Sequence, residues 1–334
     1  HLVVSLDPVN FEKPYTEKLE GISTIMKSTP PGPDKKKRLT SGYPAITAAV
    51  VNLPEPVVTY ANWFSYVTED FISENREIYR AIRITRALFP RAKLRFVGDA
   101  GLDDQKIFKQ VSLVGGEFIF RACHNRQVEV YNERLDRWEL EMLDDLTATV
   151  PLPLALRVAF THARKVRIVD IQLGWLNIRI PGTQQALWAL VAHDPNLDHN
   201  LVLITNIPIH SAHDARTMYT EWRYRPQIEH TYRFDQEDGL DVERVQVHTL
   251  ERMRRIFVLV LLAALLGRVL RIRTVIHEQN VVAGRANRWL SRYVDLVLIS
   301  FEDSARSFPN AKRIVVSGNP IREEFLHVKR SPAI

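Results

Sequence analysis

The sequence predicts an α/β protein: a mixed sheet with flanking helices, an all-β insertion, and a second, partial α/β region at the tail. Three observations lead to this prediction. Strand and helix patterns alternate through residues 1–123, period-two patterns fill residues 124–209, and helical patterns return in residues 210–270. Residues 271–334 again alternate between strand and helix. With 334 residues, 46% of them hydrophobic, the chain can form one large core or two smaller ones.

The first part of the chain carries several strand patterns rich in β-branched and aromatic residues. The first, LVVSLD, ends on Asp7; the others are YPAITAAVVNL, PVVTYANWFSYV, KLRFVGD, which ends on Asp99, and EFIFRAC. These patterns predict a sheet whose strand ends are available for a site.

Two helix patterns lie between these strands. SENREIYRAIRITRALF begins at Ser73, whose side chain suits an N-cap, and Ile78, Ile82, Leu88 and Phe89 supply part of its apolar face. DDQKIFKQVSLVGG follows as a second helix, with Asp103 near its N-terminus and glycines closing it.

Alternating patterns predict strands at RQVEVYN, VRIVDIQLGWLNIRI, QALWALVAH and NLVLITN, and the pattern turns helical from about Asp214. The most apolar run, from Ile256 to Gly267, is shorter than the ~20 residues needed to span a bilayer. It predicts a buried helix and no stable membrane span, with binding at a membrane surface as the alternative.

The charge balance constrains the choice of partner only modestly. The chain has 45 Lys and Arg against 39 Asp and Glu, a net charge of +6 at pH 7. This surplus favours an acidic partner such as nucleic acid, but it also fits a protein with no such partner. Cys123 is the single cysteine, so no intramolecular disulfide can form, which fits a reducing, cytoplasmic location.

Two acids stand at the ends of strand patterns, Asp7 and Asp99. If those strands are neighbours in one sheet, their carboxylates lie side by side and repel each other unless a divalent cation lies between them. A third acid would complete a set of oxygen ligands suited to Mg²⁺ or Mn²⁺. For Asp99 the simpler alternative is a turn, because Asp and Gly both favour turns.

The candidate third acid is Glu229, in EWRYRPQIEHTYRFDQEDGL. Pro226 suits the first turn of a helix, and from there Glu229, Arg233 and Gln236 fall on one face. Such a face suits contact with a phosphate backbone. The alternative is a solvated helix with ordinary charge pairs.

The stretch from Asp7 to about Leu262 resembles the DDE transposases of bacterial insertion sequences. The resemblance lies in SLDPVNFEKPYTEKLEG, FVGDAGLDD, VLITN and WRYRPQIEHTYRFDQEDG, in that order. It implies an RNase H-like core with a β insertion, in which Asp7, Asp99 and Glu229 bind two Mg²⁺ or Mn²⁺ ions. The ions would activate a water or a DNA 3′ hydroxyl and stabilise the leaving oxygen.

The same resemblance implies contacts to DNA. Arg225 matches the arginine of the family's signature, whereas Trp222 replaces its tyrosine and Gln236 replaces its lysine. Arg233, one turn before Gln236, could take over the lysine's charge, and Lys13 is a weaker candidate for a phosphate contact. The implied partners are the DNA of element ends and target, and a homodimer.

The tail resembles a different family, the peptidoglycan glycosyltransferase MurG. The matching words are HEQN (His277 to Asn280), NRWLSRYVD and GNPIR (Gly318 to Arg322), although Ala283 stands where that family usually has proline. The resemblance implies half of a Rossmann-like domain. The residues implied to bind the acceptor are His277, Glu278, Gln279, Asn280, Asn287 and Arg322. From the residues alone, His277 and Glu278 could equally form a structural turn.

We therefore expect a truncated DNA transposase, of uncertain activity, joined to a fragment of a cell-wall glycosyltransferase. The join is expected between about Leu261 and Arg273. Two alternatives remain open at this point: the remnant of an enzyme that transfers N-acetylglucosamine from its UDP donor to lipid I, and a DNA-binding relic without catalytic activity.

Overall fold

The structure is a computed structural model, and it describes residues 1–13, 18–27, 38–54, 56–162, 165–228, 249–252, 254–255, 274–283, 287–288, 291 and 294–318. Packing divides the chain into two units. The first unit contains residues 1–17 and 21–229, and the second contains residues 18–20 and 230–334. This division does not test the domain boundaries expected after residues 123, 209 and 270, which stay predictions.

The first unit is built on one mixed sheet of twelve strands. The strands of its first half are β1 (Leu2–Glu12), β2 (Ser23–Met26), β3 (Leu39–Val50), β4 (Val57–Trp63), β5 (Leu94–Gly98) and β6 (Glu117–Arg121). Those of its second half are β7 (Gln127–Asn132), β8 (Arg137–Met142), β9 (Leu154–His162), β10 (Lys165–Arg179), β11 (Ala186–His193) and β12 (Leu201–Thr205).

The strand order is β2-β3-β1-β5-β6-β12-β11-β10-β7-β8, with β4 paired to β3 and β9 paired to β10. β5 runs parallel to β1 and to β6, and the other pairs are antiparallel. The mixed α/β architecture expected from the sequence is confirmed. The β-rich stretch does not form a separate sheet, because β12 pairs with β6 and continues the sheet of the first half.

In the described part of the first unit, this sheet is accompanied by the helices α1 (Glu74–Leu88), α2 (Gln105–Leu113), α3 (Leu143–Thr147) and α4 (Ala212–Trp222). Ser73 caps α1 as predicted, since its side chain accepts the N–H of Arg76. Asp104 caps α2 by accepting the N–H of Lys106, and Asp103 directly precedes this cap, near the helix N-terminus as predicted. Leu88 was expected on the apolar face of α1, but it is 56% exposed.

The two faces of the sheet have different coverings. Because side chains alternate along a strand, Leu94 and Phe96 of β5 point into the core cluster that also contains residues of α1 and α2. Arg95 points to the opposite face, where its guanidinium binds Glu221 of α4. The β5 side chains that alternate with Leu94 and Phe96, such as Arg95, therefore lie on the same face of the sheet as α4.

The second unit contains a small parallel sheet in the order β13-β14-β15. Its strands are β13 (Val275–Glu278), β14 (Leu296–Ile299) and β15 (Ile314–Val316), and a 3-10 helix covers Glu302–Ser307. Val297, Ile299 and Phe308 form its core together with Ala283 and Val294. The strands predicted in the tail are confirmed.

The predicted helix around Ile256–Gly267 lies outside the described residues. Within the described ranges, no helix is long and apolar enough to cross a bilayer.

Candidate functional site

The strands that lead to Asp7 and Asp99 are neighbours in the sheet. β1 and β5 run parallel, and their last paired residues are Ser5 and Val97. Extended by two residues, the same register would set Asp7 beside Asp99. Asp7 is also opposite Thr47 of β3. By the alternation of strand side chains, both aspartates share the face of α4.

The expectation that the first strand ends at Asp7 is wrong. β1 continues to Glu12 because β3 pairs with it as far as Gly42. Pro8 cannot donate a ladder hydrogen bond. It is tolerated here because β5 has already ended at Gly98, so β1 no longer has a paired strand on that side.

Asp99 directly follows β5 and begins a tight loop. Its carboxylate accepts the N–H of Ala100 at 2.8 Å and caps a 3-10 turn at Ala100–Leu102. A side chain at Gly98 would place its Cβ 2.1 Å from Cδ1 of the buried Leu102, so a larger residue there would require the Leu102 side chain to move. On the other side, Nη1 of Arg121 lies 3.6 Å from the Asp99 carboxylate. The loop thus leaves the carboxylate half-exposed at the strand end, beside a cation.

Asp103 anchors the far end of this loop, a role that sequence reasoning missed. Its side chain is 1% exposed and forms a two-pronged pair with the guanidinium of Arg126. It also accepts the backbone N–H of Cys123 at 2.7 Å. The only signal in the sequence was the run of two aspartates, which does not reveal which of them caps the helix.

Cys123 lies against the same loop. Its thiol donates to the carbonyl of Ala100 at 3.4 Å. Burial, and next the negative charge of Asp103, raise the pKa of the Cys123 thiol. Asp103, Cys123 and Arg126 line one side of a cleft of about 660 Å³ that opens beside the loop.

The segment leading to the third predicted acid passes the end of β5. The indole Nε1 of Trp222 donates to the carbonyl of Gly98 at 3.0 Å. The guanidinium of Arg225 lies 6.0 Å from the centre of the Trp222 ring. Pro226 begins a helical turn, as predicted, and the described chain stops at Ile228. Glu229, Arg233 and Gln236 lie outside the described residues.

A buried ionic network holds α4 against the sheet. Arg95 binds Glu221 of α4 and, at 2.7 Å, Glu117 of β6. His1 lies 2.8 Å from Glu221, and Lys93 lies 2.7 Å from Glu117. Leaving one partner of a buried pair unmatched typically costs about 3–5 kcal/mol. The position of Trp222 beside Gly98 is therefore set by strong contacts elsewhere on α4.

The donor set at this strand end suits a hard divalent cation only in part. Asp7 and Asp99 offer carboxylate oxygens, the ligands that Mg²⁺ and Mn²⁺ prefer. Within the described ranges, no three His, Cys, Asp or Glu side chains form a group that could hold a metal. A complete site needs the carboxylate of Glu229. Lys13, the predicted phosphate contact just beyond β1, is 2% exposed.

In the second unit, the predicted acceptor residues gather at the carboxyl end of β13. Nε2 of His277 lies 3.1 Å from the carbonyl oxygen of Gly318. Glu278 is 1% exposed and accepts the backbone N–H of Asn280 at 2.9 Å and the amide of Asn287 at 3.0 Å. Gln279 and Asn280 are exposed. Arg322 lies outside the described residues.

The chain was compared with known proteins. No protein-family model matches it. It is 56% identical over 71 residues to the UDP-N-acetylglucosamine–N-acetylmuramyl-(pentapeptide) pyrophosphoryl-undecaprenol N-acetylglucosamine transferase of Caldanaerobacter subterraneus subsp. tengcongensis, covering 21% of this chain and 19% of that protein. The transferase of the same name from Caldicellulosiruptor saccharolyticus is 48% identical over 69 residues, and covers 20% of this chain and 19% of its own length.

A third transferase of this name, from Alkaliphilus oremlandii, is 53% identical over 57 residues, covering 17% of this chain and 16% of that protein. The chain thus spans about a fifth of the length of these curated relatives. Among solved structures, a piggyBac transposase synaptic complex with hairpin DNA matches at a TM-score of 0.38 and 7% identity, over 70% of this chain and 40% of that one. So low a TM-score establishes neither the fold nor an activity.

Proposed function

We propose that the second unit derives from a peptidoglycan N-acetylglucosamine transferase of the MurG kind and retains part of the surface that meets the lipid-linked acceptor. The observation that carries this proposal is the 56% identity over 71 residues to a curated transferase of that activity. The placement of His277 and Asn280 supports it, because ligands of α/β sheets bind at the carboxyl ends of parallel strands.

The geometry gives His277 a defined chemical state in this role. A carbonyl oxygen can only accept a hydrogen bond, so Nε2 of His277 carries the proton shared with Gly318. In a neutral imidazole the other nitrogen, Nδ1, is then an acceptor. We propose that Nδ1 meets a hydroxyl group of the acceptor sugar. Glu278 holds the turn by binding Asn280 and Asn287 and does not itself meet the acceptor.

Binding of a short-chain lipid I analogue to the full chain tests this function. We expect saturable binding that His277→Ala abolishes. The matched control is Lys312→Ala, which removes an exposed ion pair with Asp295 in the same unit. A wild-type chain that shows no saturable binding, or a His277→Ala variant that binds as well as wild type, contradicts the proposal.

We also propose a second function, metal-dependent cleavage and transfer of DNA strands by an RNase H-like first unit. The observation that favours it is the parallel pairing of β1 and β5, whose register, extended by two residues, would bring Asp7 next to Asp99. Trp222, on the segment that leads to Glu229, donates to Gly98 at the same strand end. The net charge of +6 is compatible with a DNA partner.

In this proposal, Asp7, Asp99 and Glu229 would hold two Mg²⁺ or Mn²⁺ ions. Bound ions of this kind would acidify a water and stabilise a leaving oxygen. Arg121, whose Nη1 lies 3.6 Å from the Asp99 carboxylate, would balance part of the charge at this strand end. Trp222, Arg225, Arg233 and Gln236 would contact the DNA backbone, and two copies of the chain would act on the two element ends.

Nicking of supercoiled plasmid DNA by the full chain tests this second function. We expect nicking that requires Mg²⁺ or Mn²⁺ and that Asp7→Asn abolishes. Asp170→Asn is the matched control, because Asp170 is an exposed strand aspartate paired with Arg157. Nicking that persists in Asp7→Asn, or a wild-type chain without nicking, contradicts the proposal. DNA binding without nicking would favour a non-catalytic DNA-binding relic instead.

A further inference from the structure

We infer that the chain associates with a second copy of itself through strand β8 and the first half of β10. In this contact, β8 at the end of one copy's sheet pairs with the edge of β10 in the other copy. Two strand edges, the side chains beside them and their opposite charges support the contact. It goes beyond both proposed functions and depends on neither of them.

Both strand edges are available for pairing. Of the described strands, only β7 pairs with β8, the last strand of the sheet. β10 pairs with β11 from Gln172 onward, so among the described strands its residues 165–171 pair with β9 alone. In β9, the carbonyl of Ala159 accepts Nη2 of Arg223 at 2.6 Å, so α4 already contacts that strand. An edge without a neighbour is where a second chain can add a strand.

The two edges present exposed apolar side chains. Leu140 of β8 is 56% exposed, and Val166 and Ile168 of β10 are each 65% exposed. Val166 and Ile168 lie on one face of β10 because they are two residues apart. Side chains of this kind on a sheet edge favour association.

One antiparallel register matches both the apolar and the charged side chains. If Leu140 lies opposite Ile168, then Glu141 lies opposite Arg167, because successive residues run in opposite directions along the two strands. Glu141 and Arg167 are both exposed. Opposed residues of paired strands share a face and interact, and opposite charges stabilise such a pair. The six residues of β8 thus meet a stretch of β10 of similar length.

The two elements also carry opposite charge as a whole. The β7–β8 hairpin, residues 127–142, has two Arg against five Asp and Glu, although the chain has a surplus of Lys and Arg. The β9–β10 ribbon, residues 154–173, has four Lys and Arg against one Asp. Complementary charges steer the encounter of two surfaces and fix their register. A nucleic acid would suit the ribbon only, because the acidic hairpin would repel it, whereas a second copy suits both elements.

Sedimentation velocity of the full chain without DNA, over a range of concentrations, tests the contact. We expect dimers or longer assemblies that increase with concentration, because the two contacting surfaces differ and either a closed or an open assembly can form. Association should weaken as the salt concentration rises, since the charges are exposed. Arg167→Glu and Glu141→Lys each oppose like charges, so each should raise the dissociation constant about tenfold or more.

A mixture of these two single variants is the most specific measurement. Lys at position 141 of one variant then meets Glu at position 167 of the other, and the second pairing in the mixture is the natural one. Association should therefore return in the mixture, although each variant alone associates weakly. Lys109→Glu is the matched control, because it reverses an exposed charge on α2 and should leave association unchanged.

Three outcomes would overturn the inference. The first is a wild-type chain that stays monomeric at every concentration. The second is association that neither Arg167→Glu nor Glu141→Lys weakens, and the third is weakened association that the mixture does not restore. A monomeric chain whose binding to a short DNA duplex is lost in Arg167→Glu would make the ribbon a DNA-binding surface instead.

Discussion

Asp99 follows β5 in the first unit and Glu278 ends β13 in the second, so both carboxylates stand at the carboxyl end of a parallel strand. The Asp99 side chain is 43% exposed and lies near Arg121, and the parallel register of β1 and β5, extended by two residues, points to Asp7 as its neighbour. Glu278 is 1% exposed and accepts hydrogen bonds from Asn280 and Asn287 within its own loop.

This difference shows that position at a strand end does not by itself make a carboxylate a ligand. A buried carboxylate whose oxygens are occupied by amide donors is already compensated for the loss of water. It therefore anchors a turn. A half-exposed carboxylate beside a like charge gains free energy when a cation arrives. The comparison predicts opposite outcomes for the same kind of substitution at the two positions.

The largest expected effect is the loss of DNA nicking activity in the Asp99→Asn variant. We expect the rate to fall by more than about 100-fold, because even groups that only orient a metal ligand are worth about 10–100-fold. The free energy of unfolding of the first unit should change little, because asparagine can still accept the N–H of Ala100 and the lost pair with Arg121 is partly exposed. Nicking assays and urea denaturation measure the two effects. A destabilised variant that still nicks would make Asp99 a structural residue like Glu278.

A smaller effect is expected for Glu278→Gln in the second unit. Glutamine brings an NH₂ group into a place where the neighbouring groups are donors, so we expect a loss of about 1–3 kcal/mol in local stability. Hydrogen exchange of the Ser300 N–H, which donates to the Glu278 carbonyl at 3.0 Å, reports this loss.

Asp303→Asn is the control for this measurement, because its side chain is 77% exposed in the same unit. DNA nicking should not respond to Glu278→Gln. Unchanged protection of Ser300 would show that Glu278 is not an anchor and would reopen a ligand role for it.

The smallest effect concerns the reactivity of Cys123 beside the Asp99 loop. Burial and the charge of Asp103 raise the thiol pKa, so less thiolate is present near pH 8 and alkylation is slowed. Asp103→Asn removes the second cause, lowers the pKa, and should speed alkylation a few-fold near pH 8. The rate of iodoacetamide labelling as a function of pH measures this shift. An unchanged profile would mean that the Asp103 charge does not reach the thiol.

Much of the first unit was predictable because its strands have strong local patterns. The alternation in QALWALVAH and NLVLITN located β11 and β12, and Ser73 marked the start of α1. β2, β8, β9 and the short α3 were not predicted. β8 and β9 do carry apolar residues at every second position, as at Trp138 and Leu140 or at Leu154 and Leu156, so this signal was present in the sequence and was overlooked. β2 has only four residues, too few to show a clear period.

Parts of the candidate site could also be predicted from the sequence. Two strand patterns ending on acids led to the condition that their strands be neighbours, and β1 and β5 are parallel neighbours in the sheet. A site shared by Asp7 and Asp99 stays a prediction. The continuation of β1 past Asp7 was not, because it depends on β3, a strand distant in sequence. Likewise, two adjacent aspartates gave no reason to assign the helix cap to Asp104 and the buried pair with Arg126 to Asp103.

The sequence by itself determined the strand and helix periods, the two acids at candidate strand ends, and the HEQN stretch, because each of these is a local property of the chain. Only the tertiary structure decided that β12 joins β6 in one continuous sheet and that Trp222 and Arg126 hold the two ends of the Asp99 loop. The physical reason is that burial and hydrogen-bond partners come from segments far apart in the sequence, so no local pattern records them.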